Sequence, residues 1–170
     1  PPDVRGANLK YERFYNKIAG LYDLWEILFA GWFHGGRDAA RHELLKQVTV
    51  RPGDRVLEVS IGTGVNLRYL PATAEYWGLD ISRGMLRRCR RNLQRWQRSA
   101  TLLHGTAEAL PFADGVFDVV FHIGGINFFQ NPGQAVRELM RGHVQRFDAA
   151  ERAVAAEVTL ATLAGAARRA

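Results

Sequence analysis

Cysteine is nearly missing from this 170-residue chain, and so is any long apolar run. The single thiol, Cys89, excludes an internal disulfide and fits a reducing cytoplasm, where we expect the protein to reside. No uninterrupted apolar stretch approaches the ~20 residues a membrane span requires. The most apolar N-terminal run, from Leu21 to Phe33, is broken by Asp23 and Glu26 and preceded by charges of both signs, unlike a signal peptide. The chain begins at Pro1 rather than Met, so a short N-terminal piece is expected to precede it. Internal repeats are missing, as is any Pro/Gly/Ser linker. The five histidines, His34, His42, His104, His122 and His143, show no metal-ligand spacing with one another or with Cys89, so no metal site is expected. Serine at a hydrolase elbow is also lacking.

Acidic residues are in short supply, 17 against 23 Lys and Arg, which leaves a net charge of +6. Most of the excess lies in Arg83, Arg87, Arg88, Arg90, Arg91, Arg95 and Arg98. Between them Met85, Leu86, Cys89, Leu93 and Trp96 recur at helical spacing, so the segment reads as an amphipathic helix with a solvated basic face. Nucleic acid is not expected as a partner on this ground, while peripheral contact with an anionic membrane surface stays open.

Along the chain, residues 11–48 read as two or three short helices broken near Gly31 and Gly35–Gly36. Arg51 to Asp54 forms a turn, and four short β-rich runs follow, Arg55 to Ser60, Tyr76 to Leu79, Thr101 to His104 and Val119 to Ile123. The arginine-rich helix stands between the second and third. A shorter helix is expected from Asn66 to Leu70, ended by Pro71, and another through about Arg141, with Asn131 as N-cap and Pro132 at its first position. Strands alternating with helices imply an α/β domain with a doubly wound, Rossmann-like parallel sheet covered on both faces. Three parts make up this one domain: residues 1–50 as a helical lid or cap, 51–141 as the α/β core, and 142–170 as an alanine-rich, helical tail.

Glu58-Val-Ser60-Ile-Gly62-Thr-Gly64 lies where the first strand opens into a turn. Glycine there lets the backbone approach a ligand that a Cβ would obstruct. Asp80 ends the second strand, at the carboxyl edge where parallel sheets form their ligand crevice, and a carboxylate there can accept both hydroxyls of a ribose. A dinucleotide fingerprint would place a third glycine at the position of Leu67, and a pyrophosphate would sit poorly beside Glu58. A cationic ligand without phosphate, S-adenosylmethionine (SAM), with its ammonium and sulfonium, suits an acidic loop better; its product S-adenosylhomocysteine keeps the ammonium. An NAD-dependent oxidoreductase is the weaker reading.

On these residues the chain resembles the class I SAM-dependent methyltransferases. VLEVSIGTG is similar to their first motif, with Ser60 in place of the usual first glycine, and Gly78 to Ser82 (GLDIS) to their second. The run HGTAEALPFADGVFDVV resembles the branch that methylates ubiquinone and menaquinone precursors and some phospholipids. The resemblance implies a site formed by Tyr22, Glu58, Gly62, Gly64, Asp80, Ile81, Met85, Thr106, Ala107 and His122. Asp80 would hold the ribose, Ile81 and Met85 the adenine, and Tyr22 the methionine end. Thr106 stands where the branch usually has an aspartate that accepts from the adenine amino group. A small-molecule or lipid-like methyl acceptor is implied as partner.

Methyl transfer from an activated donor needs alignment, with a base only when the acceptor must lose a proton. His122, at the end of the fourth strand, is the candidate base, and Asn127 in the following loop could orient an acceptor. The competing reading of His122 is a histidine lining the pocket or hydrogen-bonded in the core. No Asn-Pro-Pro-aromatic sequence and no Pro-Cys pair is present, which argues against amino-nitrogen methylation of adenine or glutamine and against cytosine C5 methylation.

After Met140 the family pattern would continue into a Lys-Pro-Gly-Gly turn, a fifth strand and a closing hairpin. This chain instead runs on without proline and with only Gly142 and Gly165 as glycines, a composition that favours helix. An altered reading frame, a natural truncation, or a helix that covers the sheet edge or pairs with another subunit would each explain it. The fourth strand would then become an exposed edge, from which a homo-oligomer is expected. A catalytically incomplete SAM-binding remnant that self-associates is the alternative to an active methyltransferase.

Overall fold

The structure, a computed structural model, describes residues 6–18, 41–123 and 126–143. Four parallel strands form its centre: β1 (Arg55–Val59), β2 (Glu75–Asp80), β3 (Thr101–His104) and β4 (Val119–His122), in the order β3-β2-β1-β4. The order reverses between β1 and β4, so the crevice at the carboxyl ends opens beside β1. Helix α1 (Gly6–Ile18) packs against α2 (Arg83–Arg95), and α3 (Pro132–Gly142) follows β4. Residues 41–45 are also helical. None of the described helices is long and apolar enough to cross a membrane.

Strand alternation sorts the side chains into two cores. Val56, Tyr76 and Phe121 join Leu86, Cys89 and Leu93 of α2 on one face. Leu57, Val59 and Leu79 join Phe117, Leu110 and Ala135 of α3 on the other. Each fully buried aliphatic or aromatic side chain contributes roughly 1.5–3 kcal/mol, so the sheet is held from both sides, as a doubly wound fold requires. Asn131 caps α3 by accepting from Gln134 N at 3.0 Å, and Pro132 occupies the first turn. Ser82 does the same for α2, accepting from Met85 N.

Two expectations need correction. The stretch expected as a helix from Asn66 to Leu70 forms only a 3-10 turn, Val65–Arg68, because Pro71 follows closely and Asn66 and Leu67 are both buried. The arginine-rich helix is solvated on its outer face through Arg83, Arg87, Arg90, Arg91 and Arg95, but Arg88 is buried with the apolar residues.

The chain turns back after α3. Phe117 N donates to Gly142 O at 3.0 Å and Phe117 forms a parallel bridge with His143, on the approach to β4. Arg141 fastens this corner by donating to Phe112 O, Leu110 O and Asp114. The tail expected over 142–170 lies, from residue 144 onward, outside the described residues, as do the helix interruptions expected at Gly31 and Gly35–Gly36.

Candidate functional site

The carboxyl ends of β1, β2, β3 and β4 bring Val59, Asp80, His104 and His122 to one edge of the sheet. Glu58 pairs in register with Gly78 on one side and Phe121 on the other. By alternation Glu58, Gly78 and Asp80 share the face of the sheet that carries α2. His122 falls on the opposite face, its ring centroid 5.7 Å from that of Phe129.

Backbone geometry makes the loop after β1. Ser60, Gly62 and Gly64 all have positive φ, 61°, 56° and 76°. That region costs a non-glycine residue about 1–2 kcal/mol, so Ser60 carries a strain that the two glycines escape. A Cβ on Gly64 would lie 2.6 Å from Cys89 Sγ, whereas a Cβ on Gly62 would meet only Ser60 O at 4.0 Å. Gly64 is therefore required by packing, and Gly62 faces open space. Gly78 was not singled out beyond its motif, yet a Cβ there would come within 2.3 Å of Ile61. Its absence lets the loop fold down over β2.

Asp80 is 7% exposed, and both its oxygens are engaged by main chain: Oδ2 accepts from Gly62 N and Oδ1 from Ser82 N, each at 2.8 Å. Burial raises its pKa, opposed by these two N–H groups and by His104. Each oxygen retains a lone pair for a further donor. Glu58 is held differently. It is 1% exposed; Oε1 accepts from Asn66 Nδ2 at 2.5 Å, and Asn66 in turn accepts from Arg41 at 2.5 Å. Oε2 is buried without a hydrogen-bond partner among the described residues. Burial pushes the Glu58 carboxyl up to about 8, with the Asn66 bond and Arg41 acting to lower it and Asp80 to raise it. The negative charges of Glu58 and Asp80, after burial itself, push the Cys89 thiol up to about 12, leaving it an inert packing residue.

Around this pair, Met85 is buried at the first turn of α2, and Ile81 O accepts from His104 Nε2 at 2.9 Å when that nitrogen carries the proton. Thr106 and Ala107 are buried in the turn beyond β3. Burial lowers the His122 pKa, and its Nδ1 has no partner among the described residues. Asn127 belongs to the 3-10 turn Ile126–Phe128 after β4; its side chain, and the whole of Tyr22, lie outside the described residues. Among the described residues no group of three or more His, Cys, Asp or Glu is arranged to hold a metal ion.

Three residues that sequence reasoning passed over help build the site. Asn66 and Arg41 orient Glu58. Glu108 accepts from Asn8, Gln130 N and Asn131 N, tying α1 and the loop after β4 to the Thr106 turn. The sequence signal for Glu108 is only its place beside Ala107; Arg41 has none.

Residues 57–142 match the family described as methyltransferase domain. The ubiquinone/menaquinone biosynthesis C-methyltransferase UbiE of Burkholderia mallei is 34% identical over 132 residues, 75% of this chain and 53% of its own length. The chain thus spans about half the length of the curated relatives it matches. Among solved structures, the YcgJ protein of Bacillus subtilis superposes with a TM-score of 0.59 at 25% identity, covering 64% of this chain and 47% of its own. The [4+2]-cyclase SpnF gives a TM-score of 0.69 at 20% identity, covering 85% and 58%. A cyclase among the neighbours shows that this likeness speaks for the fold alone. The matched family supplies what the fold cannot: from Leu57 to Gly142, across the loop, the acidic strand end and the helix after β4, this chain belongs to the methyltransferase-domain family, whose class I members use SAM.

Proposed function

We propose that this chain binds SAM along the carboxyl edge of β1 and β2 and directs its methyl group to a small-molecule, lipid or quinone-precursor acceptor. The observation that carries the reading is Glu58 Oε2, a buried acceptor lacking a partner within the described residues, beside a loop that no side chain fills at Gly62. A ligand with an ammonium group and no phosphate fits both. Bound SAM supplies an activated methyl, so the chain's own task is placement. Asp80 accepts from the ribose hydroxyls while Gly62 N and Ser82 N hold its carboxylate still. Ile81, Met85, Thr106 and Ala107 would hold the adenine, with the Thr106 hydroxyl as acceptor for its amino group. The Thr106 hydroxyl is a weaker acceptor than the aspartate of related enzymes. Gly64 lets the loop close on α2, and Tyr22 is assigned to the methionine end.

His122 is the proposed base where the acceptor must lose a proton, since burial keeps its ring neutral. Asn127 is the proposed orienting residue. A quinone-precursor acceptor is supported by the name of the similar Burkholderia protein. Calorimetric titration with SAM and S-adenosylhomocysteine tests the cofactor site: Asp80→Ala is expected to weaken binding at least tenfold, about 1.4 kcal/mol. Binding without turnover of any quinone or lipid precursor would favour the second reading, a SAM-binding remnant.

A homo-oligomer in the cytoplasm completes the proposal. Among the described residues β4 is the last strand of the sheet and only the Phe117–His143 bridge begins to line its outer flank, so a second copy is proposed to pair along the rest of that edge. Sedimentation as a strict monomer at micromolar concentration would overturn this part.

A further inference from the structure

Helix α1 separates its residues onto two faces. Asn8, Glu12 and Asn16 turn inward: Asn8 donates to Glu108, Glu12 stands 3.5 Å from His104, and Asn16 Oδ1 accepts from Ser82 Oγ and Gly84 N at the start of α2. Lys10, Arg13, Phe14 and Lys17 are exposed, and their spacing gathers them on one stripe. The stripe holds three cations, no carboxylate, and a ring that is 54% exposed.

Phe14 belongs to a continuous cluster of rings. It meets Tyr15 edge-on at 5.4 Å; Tyr15 and Tyr11 meet Phe128 at 5.7 and 5.3 Å; and Phe128 is itself 39% exposed. The cluster runs from the outer side of α1 to the turn after β4, beside the edge where the strands end. Helix α2 extends the positive charge with five exposed arginines and no acid. Asn16 joins α1 to the start of α2 at Ser82 and Gly84, and Lys17 and Arg83 are their neighbours in sequence.

A solvated face accounts for the arginines of α2 but not for two exposed phenylalanines set among cations. Base stacking on a nucleic acid would use rings lying in a groove. Here the ring projects from a convex helix with cations one turn away on either side, the arrangement of an interfacial helix. We propose that the outer stripe of α1, with Phe128 beside it, docks on an anionic phospholipid bilayer, drawn there by the arginine face of α2. The rings enter the boundary between headgroups and acyl chains, while Lys10, Arg13 and Lys17 reach the phosphates. Docked in this way, the chain holds its sheet edge against the lipid, where an apolar acceptor passes to the site without crossing water. That last consequence rests on the methyl-transfer reading; the docking does not.

Flotation of the full chain with vesicles tests the proposal, using phosphatidylcholine alone and with about 30% phosphatidylglycerol. Binding is expected only to the anionic vesicles, weakening as salt rises from about 0.05 to about 0.5 M. Phe14→Ser and the triple variant Lys10→Glu/Arg13→Glu/Lys17→Glu, each melting like wild type, should reduce binding about tenfold or more. On the unaltered chain, hydrogen exchange should slow over 6–18 when anionic vesicles are added. No vesicle binding, binding that survives both variants, or unchanged exchange over 6–18 would overturn the proposal. Tighter binding to a single-stranded oligonucleotide, insensitive to Phe14→Ser, would overturn it in favour of nucleic acid. Titration with SAM in the absence of lipid judges the cofactor site separately.

Discussion

β1 and β2 each bring a buried carboxylate to the same end and the same face of the sheet, yet Asp80 is held by main chain and Glu58 by side chains. Both Asp80 oxygens accept backbone N–H bonds from residues in the adjoining loops. Glu58 depends on Asn66, and through it on Arg41, and leaves one oxygen without a partner among the described residues. A carboxylate satisfied by its own loops is a fixed part of the scaffold. A buried one that is half satisfied is a group prepared for something else, because an unpaired buried acceptor costs about 1–3 kcal/mol. On the proposed reading, the difference sets the ligand's cation beside Glu58 and its hydroxyls beside Asp80.

The loop between the two carboxylates is the first place to break the comparison. Gly64→Ala combines a φ of 76° with a Cβ 2.6 Å from Cys89 Sγ, and we expect a loss of about 2–4 kcal/mol in urea unfolding. Gly62→Ala, with open space around it, should cost only about 1 kcal/mol from its backbone conformation.

The next effect separates the carboxylates by pH. Burial raises Glu58 from 4.5 to about 8, so the folded chain keeps a proton that the unfolded chain has released. Stability linked to this group is complete below about 4.5 and is lost as pH rises through about 8. Glu58→Gln imitates the protonated form, so wild type should lose stability relative to this variant between about pH 5 and 8 in urea titrations. A cationic ligand, favouring the ionised form, should bind with proton release near neutral pH. Calorimetry in buffers of different ionisation enthalpy measures that release, which Glu58→Gln should abolish.

The smallest expected effect is a gain. Ser60→Gly relieves a serine at φ 61°, offset in part by the greater chain entropy of glycine when unfolded. A net stabilisation of about 0.5–1 kcal/mol is expected in thermal melts.

Much of the fold was legible because its signals are local. Thr101 to His104 has the boundaries its β-rich run announces, and Asn131–Pro132 starts α3 where cap chemistry demands. The misread segment is the one after Gly64. Its helical spacing continues, but Pro71 and the engagement of Asn66 with Glu58 leave room for a single 3-10 turn. The arginine periodicity was also read correctly except at Arg88, which packing places on the inner face, and at Arg98, which lies beyond the helix end and donates to Leu70 O and Pro71 O.

The sequence by itself determined the strand–helix alternation, the glycine loop and the acids at the ends of β1 and β2, since these follow from spacing and backbone preference within a few residues. Tertiary structure alone decided that Arg41 reaches Glu58 through Asn66, that Glu108 ties three segments together, and that Gly78 must lack a Cβ to make room for Ile61. Those contacts join residues far apart in the chain, or across a sheet face, and no local pattern encodes a distance that only the closed sheet brings down to a hydrogen bond.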